Sequence, residues 1–302
     1  MFPLVGKVIG KLRVWSLAVR PRTLPAAVSP VLLGAAAAFA DECFRCLPAL
    51  AALLGAILLQ IGVNLANDYF DCVKGVDTGD RLGPPRVTQS GLIPADRVMT
   101  AMVAAFLFAA GVGLYLTAVA GWPVLAVGVA SILAALLYSS GPFPLANHGL
   151  GDFFAFFFFG PVAVCGTYYV QVLHVSLLCA ILSLPVGFLV AAILVVNNLR
   201  DIPTDAKAGK RTMAVILGPR WARREFLLLL AAAYGLIVLL WLLGRLSTWG
   251  LLPLLTVPTA ASLVRSLGVL SGSALNEALA NTARLALLFS ALLSLGLAIP
   301  IL

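Results

Sequence analysis

Two clusters of carboxylates and carboxamides follow long apolar runs in this sequence. The first cluster reads VNLANDYFD over residues 63–71, and the second cluster reads VVNNLRDIPTD over residues 195–205. Oxygen atoms are the ligands that magnesium prefers, and magnesium usually takes one or two carboxylates while substrate phosphates fill other positions. The two clusters therefore predict a site for a divalent metal and a diphosphate.

Helical spacing gives each cluster a common direction. In a helix of 3.6 residues per turn, positions i, i+4 and i+7 or i+8 form one stripe. Asparagine and aspartate have this spacing in both clusters, so each stripe is expected to point its oxygens one way. The predicted metal ligands are Asn64, Asp68, Asp71, Asn197, Asp201 and Asp205.

The cost of burying these acids also indicates a metal. A carboxylate at the centre of a bilayer costs about 2.5 to 3.5 kcal/mol on insertion scales, and close carboxylates repel unless cations neutralise them. A single Asn/Asp cluster at a helix end is often only a cap or a solvated surface, but two matching clusters argue against that interpretation. Basic side chains that follow the clusters are predicted to hold phosphate oxygens. These are Lys74, Arg81, Arg86, Lys207, Lys210 and Arg211.

The elements that must position these residues are membrane helices. Of 302 residues, 62% are hydrophobic and 11% are charged, and the mean hydropathy is +1.06, as in an integral membrane protein. Runs of roughly 20 apolar residues suit a bilayer, and period-2 alternation is missing, which favours helices over a barrel. We expect one domain over residues 1–302. About nine spans are predicted, near 17–40, 48–70, 97–119, 122–139, 152–170, 176–198, 225–243, 249–266 and 283–302.

The distribution of basic residues predicts the orientation. With the N-terminus in the cytoplasm, almost every Lys and Arg falls in an inner segment, and only Arg45 and Arg245 lie outside. This asymmetry predicts a multi-pass protein of the inner (cytoplasmic) membrane with both clusters at the cytoplasmic face. The net charge of +8 then reflects topology and anion binding, so no nucleic acid is expected as a partner. The lipid bilayer is the expected surrounding, and no obligate protein partner is predicted.

Five stretches resemble the UbiA superfamily of intramembrane prenyltransferases. They occur in the family's order along predicted helices 1 to 7, while helices 8 and 9 carry no motif. The form GDRLGPPRVTQSG after the first cluster is most similar to the naphthoate branch of that superfamily. The stretches are RPRTLPAAVSPVLLG (20–34), NDYFD (67–71), KGVDTGDRLGPPRVTQSG (74–91), YSSGPFPLANHGLGDFFAFFFFG (138–160) and NNLRDIPTDAKAGKRTMAV (197–215).

The resemblance implies an all-α, polytopic bundle of nine transmembrane helices around a central cavity. It also implies Mg²⁺-dependent transfer of a polyprenyl group from polyprenyl diphosphate to 1,4-dihydroxy-2-naphthoate, with loss of CO2 and diphosphate, giving demethylmenaquinone. Asn67 and all six predicted metal ligands above would be catalytic, together with Lys74. The superfamily pattern has a further acid at position 75, where this sequence has Gly75, and Asp77 is the candidate to replace it. Predicted substrate contacts besides the basic residues are Arg22, Tyr138 and Asp152.

Two alternatives remain at this stage. Another member of the superfamily would prenylate 4-hydroxybenzoate or homogentisate with the same machinery. A secondary transporter also places acids in interrupted helices, but it places them near the bilayer midplane. Here the acids lie at helix ends beside basic loops, which favours the enzyme.

Overall fold

The computed structural model describes residues 10–75, 82–141 and 143–299, and every regular element in that part of the chain is helical. Nine stretches there are long and apolar enough to cross a membrane. The prediction of an all-α protein with about nine membrane helices is therefore confirmed. The α-helices are α1 (Lys11–Val19), α2 (Leu24–Ala40), α3 (Cys46–Val73), α4 (Ala95–Ala120), α5 (Trp122–Ser139), α6 (Gly151–Phe157), α7 (Ala163–Val172), α8 (Leu177–Lys207), α9 (Met213–Leu217), α10 (Pro219–Leu242), α11 (Val257–Val269) and α12 (Leu275–Ala298).

Several spans combine two helical pieces. α1 and α2 are joined by a short turn at Pro21–Thr23, where Arg20 adopts a left-handed conformation with φ of 55°. α6 and α7 are joined by a π turn at Phe158–Val162 that contains Pro161. Because proline removes a backbone donor, it favours such interruptions of the regular ladder.

α8 is the most deeply buried of the described spans. It packs against α10, α12, α6 and α2, and its apolar side chains form much of the main core. α3 packs mainly against α4 in a second part of the bundle. The π turn between α6 and α7 approaches α8 closely where Gly160 faces Gly187, since a Cβ on Gly160 would lie 2.8 Å from the Gly187 Cα. The two cluster-bearing helices, α3 and α8, are thus fixed by different sets of neighbours.

Both cluster-bearing helices are longer than a bilayer requires. α3 has 28 residues and α8 has 31, which correspond to about 42 and 46 Å at 1.5 Å per residue, against an apolar layer of about 30 Å. The predicted span ended near residue 198, but the helix is longer than that span. The helix continues through Pro203 to Lys207, so the second cluster is presented on a regular helical face.

Candidate active site

A cavity of about 1420 Å³ lies between the helices and meets residues of both clusters. Its apolar lining comes from the middle of α3, α4, α5 and α7, whereas its polar lining comes from the C-terminal ends of α3, α5 and α8. A ligand with a charged head and an apolar tail fits this division. The cluster residues in the lining are Asn64, Asn67, Asp71, Asn197, Asn198, Asp201 and Asp205.

Asp71 is the acid of the first cluster that lines the cavity, and two cations contact it. Its Oδ2 accepts hydrogen bonds from Arg86 Nη2 at 3.0 Å and from Lys210 Nζ at 3.2 Å. Both cations also line the cavity. Asn67, one turn earlier, accepts a hydrogen bond from the Ser139 hydroxyl at the end of α5. The site therefore combines an acid with two basic groups that reach it from distant parts of the chain.

Of the expected stripe of Asn64, Asp68 and Asp71, the first and last residues line the cavity and Asp68 does not. Asp68 is outside the cavity lining, and its carboxylate accepts hydrogen bonds from the backbone N–H groups of Val87 at 3.1 Å and Thr88 at 3.0 Å. Successive residues of a helix point about 100° apart. Because Asn67 faces the cavity, the next residue, Asp68, points to one side of it, towards the loop that contains Val87 and Thr88.

Asn64 lines the cavity, but its amide is committed to the protein. Its Nδ2 donates to the Val19 carbonyl at 2.8 Å and to the Thr23 hydroxyl at 3.0 Å, and its Oδ1 accepts from Gln60. These bonds tie α3 to the turn between α1 and α2. In this structure Asn64 holds two helices together at the edge of the cavity.

The second cluster is organised around Arg200, which the sequence analysis missed as a site residue. Its guanidinium donates to both carboxylate oxygens of Asp201, at 2.7 and 2.5 Å. It also donates to Asn197 and to Asn276, each at 2.8 Å. Asn276 in turn donates to the Leu82 carbonyl at 2.9 Å. A buried arginine within an apolar helix is rare and functional by default, and this was the signal that could have identified it.

Other predicted residues lie farther from the cavity. Lys74 donates to the carbonyls of Ser139 at 2.9 Å and Gly141 at 3.3 Å and does not line the cavity. Lys207 and Arg211 are exposed and are also absent from the lining. Two further predicted residues, Asp77 and Arg81, fall outside the described residues.

The three predicted substrate contacts from the resemblance occupy different positions. Arg22 is exposed and lies at the edge of the cavity, and Tyr138 lines it. Asp152 is buried behind the lining, where its Oδ1 accepts a hydrogen bond from Asn198 at 3.2 Å. Asn198 lines the cavity, so Asp152 is placed to orient that amide.

The donor set fits a metal that is shared with a substrate. Within the described ranges, no three His, Cys, Asp or Glu side chains come close enough to hold an ion by themselves. Magnesium rarely uses such a cage and is usually bound by one or two carboxylates together with phosphates. Acids from α3 and α8 around one cavity match that mode. The cations that pair with Asp71 in the structure, Arg86 and Lys210, would donate hydrogen bonds to the phosphate oxygens of a bound diphosphate.

Comparisons with known proteins agree with this geometry. Residues 27–288 match the UbiA prenyltransferase family. The chain is 42% identical over 246 residues to 1,4-dihydroxy-2-naphthoate octaprenyltransferase of Mycobacterium tuberculosis, covering 82% of this chain and 83% of that protein. It is 38% identical over 297 residues to the Escherichia coli strain K12 protein of the same name, covering 96% of each. The solved structure of a UbiA homolog from Archaeoglobus fulgidus bound to DMAPP and Mg2+ superposes with a TM-score of 0.63 and 14% identity, covering 93% of this chain and 99% of that one. This chain belongs to the UbiA prenyltransferase family.

Proposed function

We propose that this protein transfers a polyprenyl group from polyprenyl diphosphate to 1,4-dihydroxy-2-naphthoate, with loss of CO2 and diphosphate, giving demethylmenaquinone. The observation that carries the proposal is that Asp71, Asp201 and Asp205 line the polar end of one large apolar cavity. A prenyl diphosphate has a charged head and a long apolar tail, and it needs both environments at once. The choice of acceptor rests on relatives 42% and 38% identical that carry the naphthoate name.

We propose Mg²⁺ as the cofactor, with Asn67, Asp71, Asp201 and Asp205 as the residues that would hold it. A bound magnesium ion supplies Lewis-acid stabilisation of the charge that develops on the leaving diphosphate. Arg86 and Lys210 line the same cavity, and charge-assisted hydrogen bonds from them would hold the remaining phosphate oxygens. This set leaves out three of the predicted ligands: Asp68 and Asn64, which are engaged in bonds that hold the fold, and Asn197, whose Oδ1 accepts a hydrogen bond from Arg200 at 2.8 Å.

The apolar residues exclude water from the reacting carbon. Phe154, Phe157 and Phe158 line the same cavity. Departure of diphosphate leaves an allylic cation, which the electron-rich acceptor ring attacks. Aromatic faces stabilise such a cation, and a cavity without bulk water keeps it from hydrolysis.

We propose a single domain in the cytoplasmic membrane with its N-terminus and its active site on the cytoplasmic side. α3 and α8 are the second and sixth of the described spans, so they run in the same direction and both clusters end on one side. The exposed Cys43 precedes α3 and the exposed Cys46 is its first residue, so both would face outwards. A membrane-impermeant maleimide should label them on intact cells, and labelling only after lysis would contradict this orientation.

The acceptor is tested with a panel. Membranes that contain the protein, supplied with octaprenyl diphosphate and Mg²⁺, are given 1,4-dihydroxy-2-naphthoate, 4-hydroxybenzoate or homogentisate. We expect demethylmenaquinone from the first acceptor, abolished by EDTA and restored by added Mg²⁺. Transfer only to one of the other acceptors would reassign the substrate, and activity that survives EDTA would refute the metal. A transport function is disfavoured because the acids lie at helix ends rather than mid-span.

A further inference from the structure

We propose that Asp68 is a positioning residue, which holds the loop of residues 82–94 so that Arg86 reaches into the active site. We call these residues the roof loop. The inference rests on the proposed function for the role of Arg86, and it assigns Asp68 a task other than the metal ligation that its place in the first cluster predicts.

The contacts of Asp68 point away from the cavity. The side chain is 1% exposed, and its two carboxylate oxygens accept from two consecutive backbone N–H groups of the roof loop, those of Val87 and Thr88. Arg20 Nη2 lies 4.0 Å from the same carboxylate. Hydrogen bonds from backbone N–H to an ionised carboxylate are about twice as strong as neutral ones. Asp68 therefore anchors the loop backbone at one defined point.

That point is immediately next to Arg86. Because Arg86 precedes Val87, the Val87 N–H belongs to the peptide unit that carries the Arg86 carbonyl, and holding it orients the Arg86 backbone. The Arg86 side chain then reaches Asp71 Oδ2 at 3.0 Å and is itself buried at the cavity. Packing supports the same placement, since Val87 is fully buried against the core that contains Leu65 of α3.

A second contact holds the start of the roof loop. Asn276 donates to the Leu82 carbonyl at 2.9 Å, and Gly83 lies against the Arg200 guanidinium, where a Cβ would come within 2.9 Å. The roof loop is thus attached to α12 and α8 at its beginning and to α3 beside Arg86. Of these attachments, the Asp68 carboxylate is the one that fixes the residues next to Arg86.

Hydrogen exchange tests the anchoring without any reaction. The full-length protein in detergent, without magnesium, is compared with Asp68→Asn, which keeps the size of the side chain but loses one acceptor. We expect peptides covering residues 82–94 to exchange faster in the variant. Asp96→Asn is the matched control, because it removes an exposed carboxylate just after the same loop and should leave exchange unchanged. Unchanged exchange in Asp68→Asn would overturn the proposal.

Kinetics separate positioning from metal ligation. Asp68→Asn should raise KM for polyprenyl diphosphate by about tenfold, the value for loss of one hydrogen bond to a charged group. The Mg²⁺ concentration for half-maximal activity should stay at the wild-type value. The double variant Asp68→Asn, Arg86→Gln should be no less active than Arg86→Gln alone, because the effects of coupled residues are not additive. A Mg²⁺ requirement raised as much as in Asp71→Asn, with wild-type loop exchange, would make Asp68 a ligand and refute the proposal.

Thermal unfolding checks that each variant is folded. If Asp68→Asn does not fold, Asp68→Glu serves instead, because it keeps the charge and displaces the carboxylate by one methylene; it should show the same faster exchange. The exchange result does not depend on the acceptor. Failure of naphthoate prenylation would therefore refute the proposed function, whereas the anchoring of the roof loop by Asp68 would still be decided by the exchange measurement.

Discussion

The Lys210 ammonium lies 3.2 Å from the Asp71 carboxylate, across 139 positions of the sequence. This contact joins the end of α3 to the segment that follows α8. The lysine ammonium offsets the negative charge of the Asp71 carboxylate, and the same ammonium is a donor for phosphate oxygens. The pair brings the two clusters into one site.

Loss of the Lys210 charge should weaken substrate binding more than turnover. We expect Lys210→Gln to raise KM for polyprenyl diphosphate by about tenfold, as for one charge-assisted hydrogen bond, with a smaller change in kcat. Arg220→Gln is the control, because it removes an exposed cation at the start of α10. Steady-state kinetics with varied polyprenyl diphosphate checks this, and equal effects of the two variants would speak against a diphosphate contact.

Removal of a predicted metal ligand should abolish turnover without unfolding the bundle. Mutation of a group that only supports a metal's ligands lowers metal affinity or activity by about 10- to 100-fold. We therefore expect turnover to fall by at least about 100-fold in Asp71→Asn and in Asp201→Asn. Glu42→Gln, an exposed acid before α3, should be neutral. Turnover at saturating Mg²⁺ and the thermal midpoint are the measurements, and a fully active Asp201→Asn would remove that residue from the site.

Asn276 should matter although it belongs to no motif. Its amide joins Arg200 to the Leu82 carbonyl, and a buried group left without its partner costs about 1 to 3 kcal/mol. We expect Asn276→Ala to lower both thermal stability and activity. Asn281→Ala is the matched control on the same helix, since within the described residues that amide accepts a single bond, from exposed Arg284 at 3.1 Å, and the change should alter stability by less than about 0.5 kcal/mol. Equal stability of the two variants would contradict the prediction.

The fold was predictable because its main determinant is local. Nine apolar stretches of bilayer length are visible in the composition of the chain, and nine spans occur in the described residues. The end of α8 was not predictable in the same way. Pro203 and the polar residues around it are typical of a loop, but the helix continues because its polar face borders the cavity and Arg200 satisfies Asp201.

The site was predictable only in part, because some of its contacts are long-range. The acids could be found from their spacing, and Asp71, Asp201 and Asp205 do line the cavity. The partners of Asp68 come 19 and 20 positions later in the roof loop, and no pattern in the sequence indicates that two backbone amides will turn towards it. Asn276 lies on α12, where no motif was recognised, so its contact with Arg200 emerged only from the packing of the helices.

The close approach of the π turn at Phe158–Val162 to α8 should make Gly160 sensitive to any added side chain. A Cβ at that position would lie 2.8 Å from the Gly187 Cα and 3.0 Å from the Ser183 carbonyl oxygen, and both are backbone atoms that cannot rotate away. We expect Gly160→Ala to cost about 1 to 3 kcal/mol, the usual penalty for overpacking, and to lower the thermal midpoint in detergent. Gly235→Ala is the matched control in α10, because outside its own turn of helix no atom of the described residues lies within 4 Å of its added Cβ, and alanine favours a helix. If Gly160→Ala melts at the temperature of the wild type, the π turn and α8 do not approach each other as closely as described.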